Sequence, residues 1–234
     1  VNEFLENDKT ARALEEISVE QVMKKNLITV CADTINHVSQ AAKDMIAFKI
    51  GSVVVVDSNG CLVGIITKTD IAKIYGTIYA AKFKVKDYMS HKMITCRKSD
   101  SLRFALNMIN QNDISRLVVT DNVGKPLGVI STNTFLTNSS YFTKNNGNTR
   151  EYLLPADSEN ICVGDLVSEE LLVVNLEDDL SVAAQKMIKN HIGGIPVTDD
   201  SDQLVGMISN LDVVKAFVKV PLIGELLEKY SKLY

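Results

Sequence analysis

Cysteine and histidine are scarce in this 234-residue chain. The four cysteines (Cys31, Cys61, Cys96, Cys162) form no C-x-x-C pair, and none lies at metal-ligand spacing from His37, His91 or His191. This argues against a zinc site and for reduced thiols in a cytoplasmic protein. No apolar run approaches the roughly 18 residues of a membrane span, and no secretory signal is read at the start of the chain. Positive charge is not in excess. A formal net charge of −4 gives no general attraction to nucleic acid or to an anionic membrane. Proline is rare, at four residues, and the 46% hydrophobic, 23% charged composition is globular rather than disordered. Catalytic signatures are missing as well. There is no G-x-S-x-G, no G-x-x-x-x-G-K-[ST] and no nucleophile–base pair, so the chain is not read as an enzyme. A basic element or helix-turn-helix for DNA is also absent.

What is present is one unit written three times. "IGSVVVVD" from Ile50 returns as "ISRLVVTD" from Ile114 and "IGGIPVTD" from Ile192, at spacings of 64 and then 78 residues. Gly64, Gly128 and Gly206 keep those spacings, and so do Asp70, Thr134 and Asp212. Upstream, "VEQVM", "VKDYM" and "VGDLV" share a pattern, and each precedes an apolar strand at Leu27, Met93 or Leu171. Each unit reads as strand, helix, strand, strand, helix. Helical periodicity runs through Val38, Ala41, Ala42, Met45 and Ile46 in the first copy. The β-branched run Val53 to Val56 suits a strand buried on both faces.

The units are expected at 17–76, 83–138 and 161–220, with a linker at 139–160 and flanking amphipathic helices at 1–16 and 221–234. The fold class expected is α/β (α+β), a tandem array of βαββα repeats. One unit leaves a sheet face half covered, and two packed sheet to sheet would bury it.

The ordered set V-x-D-h-M, I-G-S-h-x-V-x-D and L-V-G-h-h-T/S-x-T/S-D resembles the CBS (cystathionine β-synthase) domain, over three stretches that make up most of the chain. The resemblance implies pairing of repeats into Bateman modules. It also implies an adenosine-type ligand (AMP, ADP, ATP or S-adenosylmethionine) bound between paired repeats, no metal, and regulation of an unidentified partner protein.

In that family the acid of the last motif holds the ribose, and a neighbouring Thr or Ser helps. Asp70 matches the acid, with Thr67 and Thr69. Asp212 matches it with Ser209, while Leu211 replaces the second hydroxyl. Thr134 in the second copy loses the acid. The physical basis is a helix start, whose free N–H groups favour an anion, beside a carboxylate able to accept from two vicinal hydroxyls. Capping alone is the competing reading for these residues. Arg116 stands where the other copies have Ser52 and Gly194. It is read either as a phosphate ligand, through its bidentate fork, or as the partner of Asp113. By family position Ile28, Thr29 and Val53, with Leu172 and Ile195 in the third copy, would meet the adenine.

Copies one and two, joined by a short link, are expected to pair. Copy three then needs cover, which a homodimer through repeat 3 would supply; a partner protein or the C-terminal segment 221–234 are the alternatives. The function expected is a stand-alone regulatory, ATP-binding or related nucleotide-sensing module; the alternative is a ligand-free dimerisation scaffold.

Overall fold

The computed structural model describes residues 18–33, 37–137, 143–146, 149–152, 161–167 and 171–220. The expected flanking helices at 1–16 and 221–234 lie outside these residues.

Repeat 1 contains β1 (Thr29–Cys31), α2 (His37–Ala47), β2 (Ser52–Val56), β3 (Leu62–Thr67) and α3 (Lys68–Ile78), preceded by the one-turn helix α1 (Val19–Val22). Repeat 2 has β4 (Thr95–Arg97), α4 (Leu102–Gln111), β5 (Arg116–Thr120), β6 (Pro126–Ser131) and α5 (Thr132–Thr137). The hairpin β7 (Thr143–Asn146) and β8 (Thr149–Tyr152) follows. Repeat 3 has β9 (Val174–Asn175), α6 (Leu180–Lys189), β10 (Gly194–Thr198), β11 (Leu204–Ser209) and α7 (Asn210–Phe217). In each repeat the first strand runs parallel to the second, and the third closes antiparallel on it; in repeat 1, Thr29 faces Val54 and Ser52 faces Thr67. The mixed fold class follows directly.

The same local devices recur at the same offsets. Asp57, Asp121 and Asp199 each accept two backbone N–H bonds in the turn between the last two strands. The chain leaves each first helix through a left-handed residue: Lys49 (φ 53°), Asp113 (φ 50°) and His191 (φ 53°). Gly60 and Gly124 supply a positive φ in the strand turn, where repeat 3 uses Asp202 at φ 58°. The segment read as linker contains the hairpin β7–β8. The overlooked signal in the sequence is Gly147-Asn148, a two-residue hairpin pair between Asn146 and Thr149, which face each other.

The chain forms two compact units. One holds residues 26–92 and 172–234, the other residues 1–25 and 93–171. Repeats 1 and 3 therefore share a unit, a grouping different from the expected module of copies one and two. Repeat 3 is covered from within its own chain. Within this unit the two repeats meet through helices: α3 packs on α6 and α7, and α2 on α7. One core runs through both repeats, from Met45, Ile71 and Tyr75 to Met187, Val214 and Phe217.

Small side chains decide this choice. A Cβ on Gly76 would lie 3.3 Å from Cβ of Ala184, and Gln185 Nε2 donates to Gly76 O at 2.6 Å. Ala42 and Ala184 occupy the same repeat position, where repeat 2 carries Leu106. Leu106 would fill the space that lets these helices approach. Repeat 2 keeps its own core of Leu102, Ala105, Ile109, Leu117 and Ile130.

The leading segments do not stay with the repeats they precede. The 3-10 turn Val85–Asp87, ahead of repeat 2, joins repeat 3: Val85 N bonds Asp178 O at 2.9 Å, and Ser90 exchanges two backbone bonds with Met207. The turn Val163–Asp165, ahead of repeat 3, joins repeat 2 through Val163 N to Asp100 O at 2.8 Å and Gly164 N to Lys98 O at 2.9 Å. Val85 and Val163 are both fully buried.

Candidate functional site

Each third strand ends where its second helix begins, and the helix start is pinned the same way three times. The first helical N–H bonds the residue before the central strand: Lys68 to Gly51, Thr132 to Ser115, Asn210 to Gly193. The next bonds form a cap. In repeat 1 Asp70 Oδ2 accepts from Thr67 N at 2.9 Å and from Thr67 Oγ1 at 2.6 Å, while Asp70 N donates to Thr67 Oγ1 at 3.3 Å. In repeat 3 Asp212 Oδ2 accepts from Ser209 N at 3.0 Å and Ser209 Oγ at 2.6 Å. In repeat 2 Thr134 Oγ1 accepts from Ser131 N at 3.1 Å and lies 3.2 Å from Ser131 Oγ.

Thr134 thus closes the cap without a carboxylate. Capping accounts for a hydroxyl at this position but not for the acid at Asp70. The cap engages Oδ2 only; no described residue bonds Asp70 Oδ1, and the side chain is exposed. Asp212 differs. It is 6% exposed, and its Oδ1 accepts from Lys215 Nζ at 2.7 Å. The two acids are equivalent in sequence and unequal in availability.

The two corners lie in the same unit and touch. Asn210 Nδ2 donates to Thr69 Oγ1 at 3.4 Å. Asn210 is 8% exposed and its Oδ1 has no partner, an orphaned buried acceptor beside the exposed carboxylate. Sequence reasoning passed over Asn210; the signal was its register with Lys68. Lys68 is half-buried and lays its aliphatic stem over Gly51.

Ile28 and Leu172 are half-buried and Thr29 is exposed, so these three have surface to offer. Ile28 O accepts from Val54 N at 3.2 Å. Val53, at 1% exposure, and Ile195, at 0%, belong to the shared core and form a packed floor. The structure gathers all of these residues into the unit of repeats 1 and 3.

Arg116 belongs to the other unit. It heads β5 opposite Ser131, and its Nη1 donates to Ser115 Oγ at 3.1 Å. The expected alternative, an ion pair with Asp113, does not form: the side-chain bond of Arg116 goes to Ser115. No carboxylate among the described residues pairs with Arg116, and burial pulls its guanidinium below the ordinary value. A desolvated cation without a counter-charge suits an anionic ligand.

Among the described residues no group of three His, Cys, Asp or Glu side chains could hold a metal ion, and no helix is long and apolar enough to cross a membrane.

The CBS domain matches this chain three times, at residues 19–76, 85–140 and 163–219. A curated relative, the uncharacterized protein MJ1225 of Methanocaldococcus jannaschii, is 22% identical over 203 residues, which is 85% of this chain and 69% of the relative. The crystal structure of that protein, described as a candidate archaeal homolog of γ-AMPK, superposes with a TM-score of 0.69 at 21% identity, covering 85% of this chain and 70% of the other. An uncharacterized conserved protein of Pyrococcus horikoshii superposes with a TM-score of 0.68 at 24% identity, covering 86% and 84%. Likeness at these identities extends to the fold.

Proposed function

Because the chain belongs to the CBS domain family, we propose that it is a regulatory module, not an enzyme, whose paired repeats 1 and 3 bind an adenosine-type nucleotide and signal its presence to a partner protein. Asp70 accepts the ribose hydroxyls through Oδ1. Thr69 and Asn210 lie beside it as further polar contacts, and the start of α3, capped by Thr67, favours a phosphate. Ile28, Thr29 and Leu172 meet the base over the floor of Val53 and Ile195. The observation that carries this reading is the idle oxygen of Asp70 at an exposed corner whose cap the sister residue Thr134 completes without an acid. Asp212 with Ser209 is the weaker half of the site, since Lys215 holds its second oxygen. Arg116 marks a separate phosphate contact in repeat 2.

The test is the melting temperature with AMP, ADP, ATP and S-adenosylmethionine in turn. A ligand at 100 times its dissociation constant adds about 2.7 kcal/mol. Asp70→Asn should abolish the shift and Thr134→Ala should keep it. Equal losses would remove Asp70 from the site.

A ligand-free scaffold is the second reading, favoured by one observation: Asp212 is buried and already paired. A flat ligand panel would select it. Repeat 1 packs on the helices of repeat 3, so a homodimer through repeat 3 would have to use that repeat's other faces.

A further inference from the structure

Repeats 2 and 3 exchange their leading segments, and repeat 1 carries the same parts unassembled. In repeat 3 the segment approaches the outer edge of β11. Ser90 N donates to Met207 O at 2.9 Å, and Met207 N donates to Ser90 O at 3.0 Å. The approach is close because residue 206 is glycine: a Cβ there would lie 2.9 Å from Met89 Sδ and 2.9 Å from Ser90 O.

In repeat 1 nothing among the described residues pairs with the corresponding edge. Ile65 holds the register of Met207 and faces Val54, whose N–H is spent on Ile28 O at the far side of β2. In an antiparallel ladder such a pair is the non-hydrogen-bonded kind, so the Ile65 N–H and C=O point to the open edge. Gly64, the counterpart of Gly206, has nothing within 4 Å of an added Cβ. Leu62, Val63 and Ile65 are 73%, 56% and 61% exposed. An outer strand this apolar is a template for another strand or segment.

The donor is equally idle and already shaped. In the docked segment Lys84 N bonds Asp87 Oδ2 at 2.8 Å and Met89 N bonds Val85 O at 2.9 Å. In the segment ahead of repeat 1, Ser18 N bonds Gln21 Oε1 at 2.8 Å and Met23 N bonds Val19 O at 2.8 Å. The turn is the same, yet Val19 is 75% exposed where Val85 and Val163 are fully buried, and Val22 and Met23 are exposed too.

We propose that β3 receives the leading segment of a second copy of this chain, and that two chains associate by reciprocal exchange between their first repeats. Exchange within the chain is reciprocal, and repeats 2 and 3 satisfy one another. Among the described residues, repeat 1 of a second copy offers both an uncovered edge and an uncovered segment. Such a contact uses one patch twice about a two-fold axis. Its backbone part is the addition of a segment to a sheet edge, with Lys24 opposite Ile65, Met23 over Gly64 and Val19 seated as Val85 is.

The experiment is sedimentation velocity of the whole chain from low to high micromolar concentration, on the parent and on Gly64→Ala and Val19→Asp. Gly64→Ala adds a methyl into open space in the single chain but into the docked segment in the dimer. Val19→Asp alters the exposed donor and leaves β3 intact. The expected result is a concentration-dependent dimer whose dissociation constant rises about tenfold or more in each variant, with the circular dichroism of the dilute protein unchanged. Should one variant fail to fold, the other decides alone. A parent that stays monomeric throughout, or a dimer indifferent to both substitutions, overturns the proposal.

Discussion

Gly206→Ala should cost stability that the same change at Gly64 does not. At Gly206 the new Cβ meets Met89 Sδ at 2.9 Å, where a flexible thioether can move aside, and Ser90 O at 2.9 Å, where a backbone carbonyl cannot. That carbonyl accepts from Met207 N at 3.0 Å, so backing it off by the needed half ångström stretches both bonds between Ser90 and Met207. The stretch forfeits part of two backbone hydrogen bonds worth about 1 kcal/mol each in net terms, a loss contained in the 1–3 kcal/mol that overpacking a closed contact typically costs. Against this, Ala is preferred to Gly within a strand by roughly 0.5–1 kcal/mol. The net expectation is a loss of about 1–2 kcal/mol for Gly206→Ala and a gain of about 0.5 kcal/mol for Gly64→Ala. At about 2–4 °C per kcal/mol for a chain of this size, the two melting temperatures should differ by roughly 3–10 °C. Thermal unfolding followed by circular dichroism at low concentration reads the difference. Equal melting temperatures would mean that residues 85–90 do not dock on β11.

Four further outcomes are expected. Asp202→Gly, relieving the left-handed residue that stands where the sister turns have glycine, should stabilise by roughly 0.5 kcal/mol in urea unfolding, a relieved strain of about 1 kcal/mol less the extra unfolded-chain entropy of glycine, about 0.5 kcal/mol; a loss would show that the Asp202 side chain matters to the turn. Val85→Ala should destabilise by about 2 kcal/mol, two methyls lost from a fully buried site, while Val19→Ala on the dilute chain should change little. Cys96 is buried and its thiol is pushed up to about 12 from 9.0, first by desolvation and then by Asp100. A maleimide near neutral pH should therefore label exposed Cys61 well before Cys96, and comparable rates would refute the burial. The same shift carries a pH dependence. Cys96 stays protonated in the fold while the unfolded thiol ionises, so its contribution is whole below about pH 9, is lost as pH rises toward 12, and should be reduced in Cys96→Ala.

The elements were legible because each follows from a local rule. Alternation and β-branching mark the strands, the 3.6-residue period marks the helices, and Asp57, Asp121 and Asp199 mark the turns. The partner of each helix face was not legible from linker length. It follows from Ala42 and Ala184 being small where Leu106 is large, a comparison that acquires meaning only when Gly76 is seen against Ala184. The leading segments were assigned to the repeats they precede because "VKDYM" and "MITC" are contiguous; the chain sends them to different units. At the candidate site, the cap geometry was inherent in the Thr/Ser/Asp pattern. The inequality of Asp70 and Asp212 was not, since it rests on Lys215 reaching one oxygen while the homologous Lys73 makes no such pair.

Repeat 1 finishes at Ile78, and the helix α7 that completes its core begins at Asn210. During synthesis at about 5–20 residues per second, the apolar face of α3 therefore leaves the ribosome on the order of ten seconds before its partner exists. Through that interval Ile71, Ala72 and Tyr75 can rest only on their own repeat, and the side of α3 that meets α6 and α7 stays uncovered. Repeat 1 is the first of the three to leave the ribosome, yet its core closes only when α7 arrives.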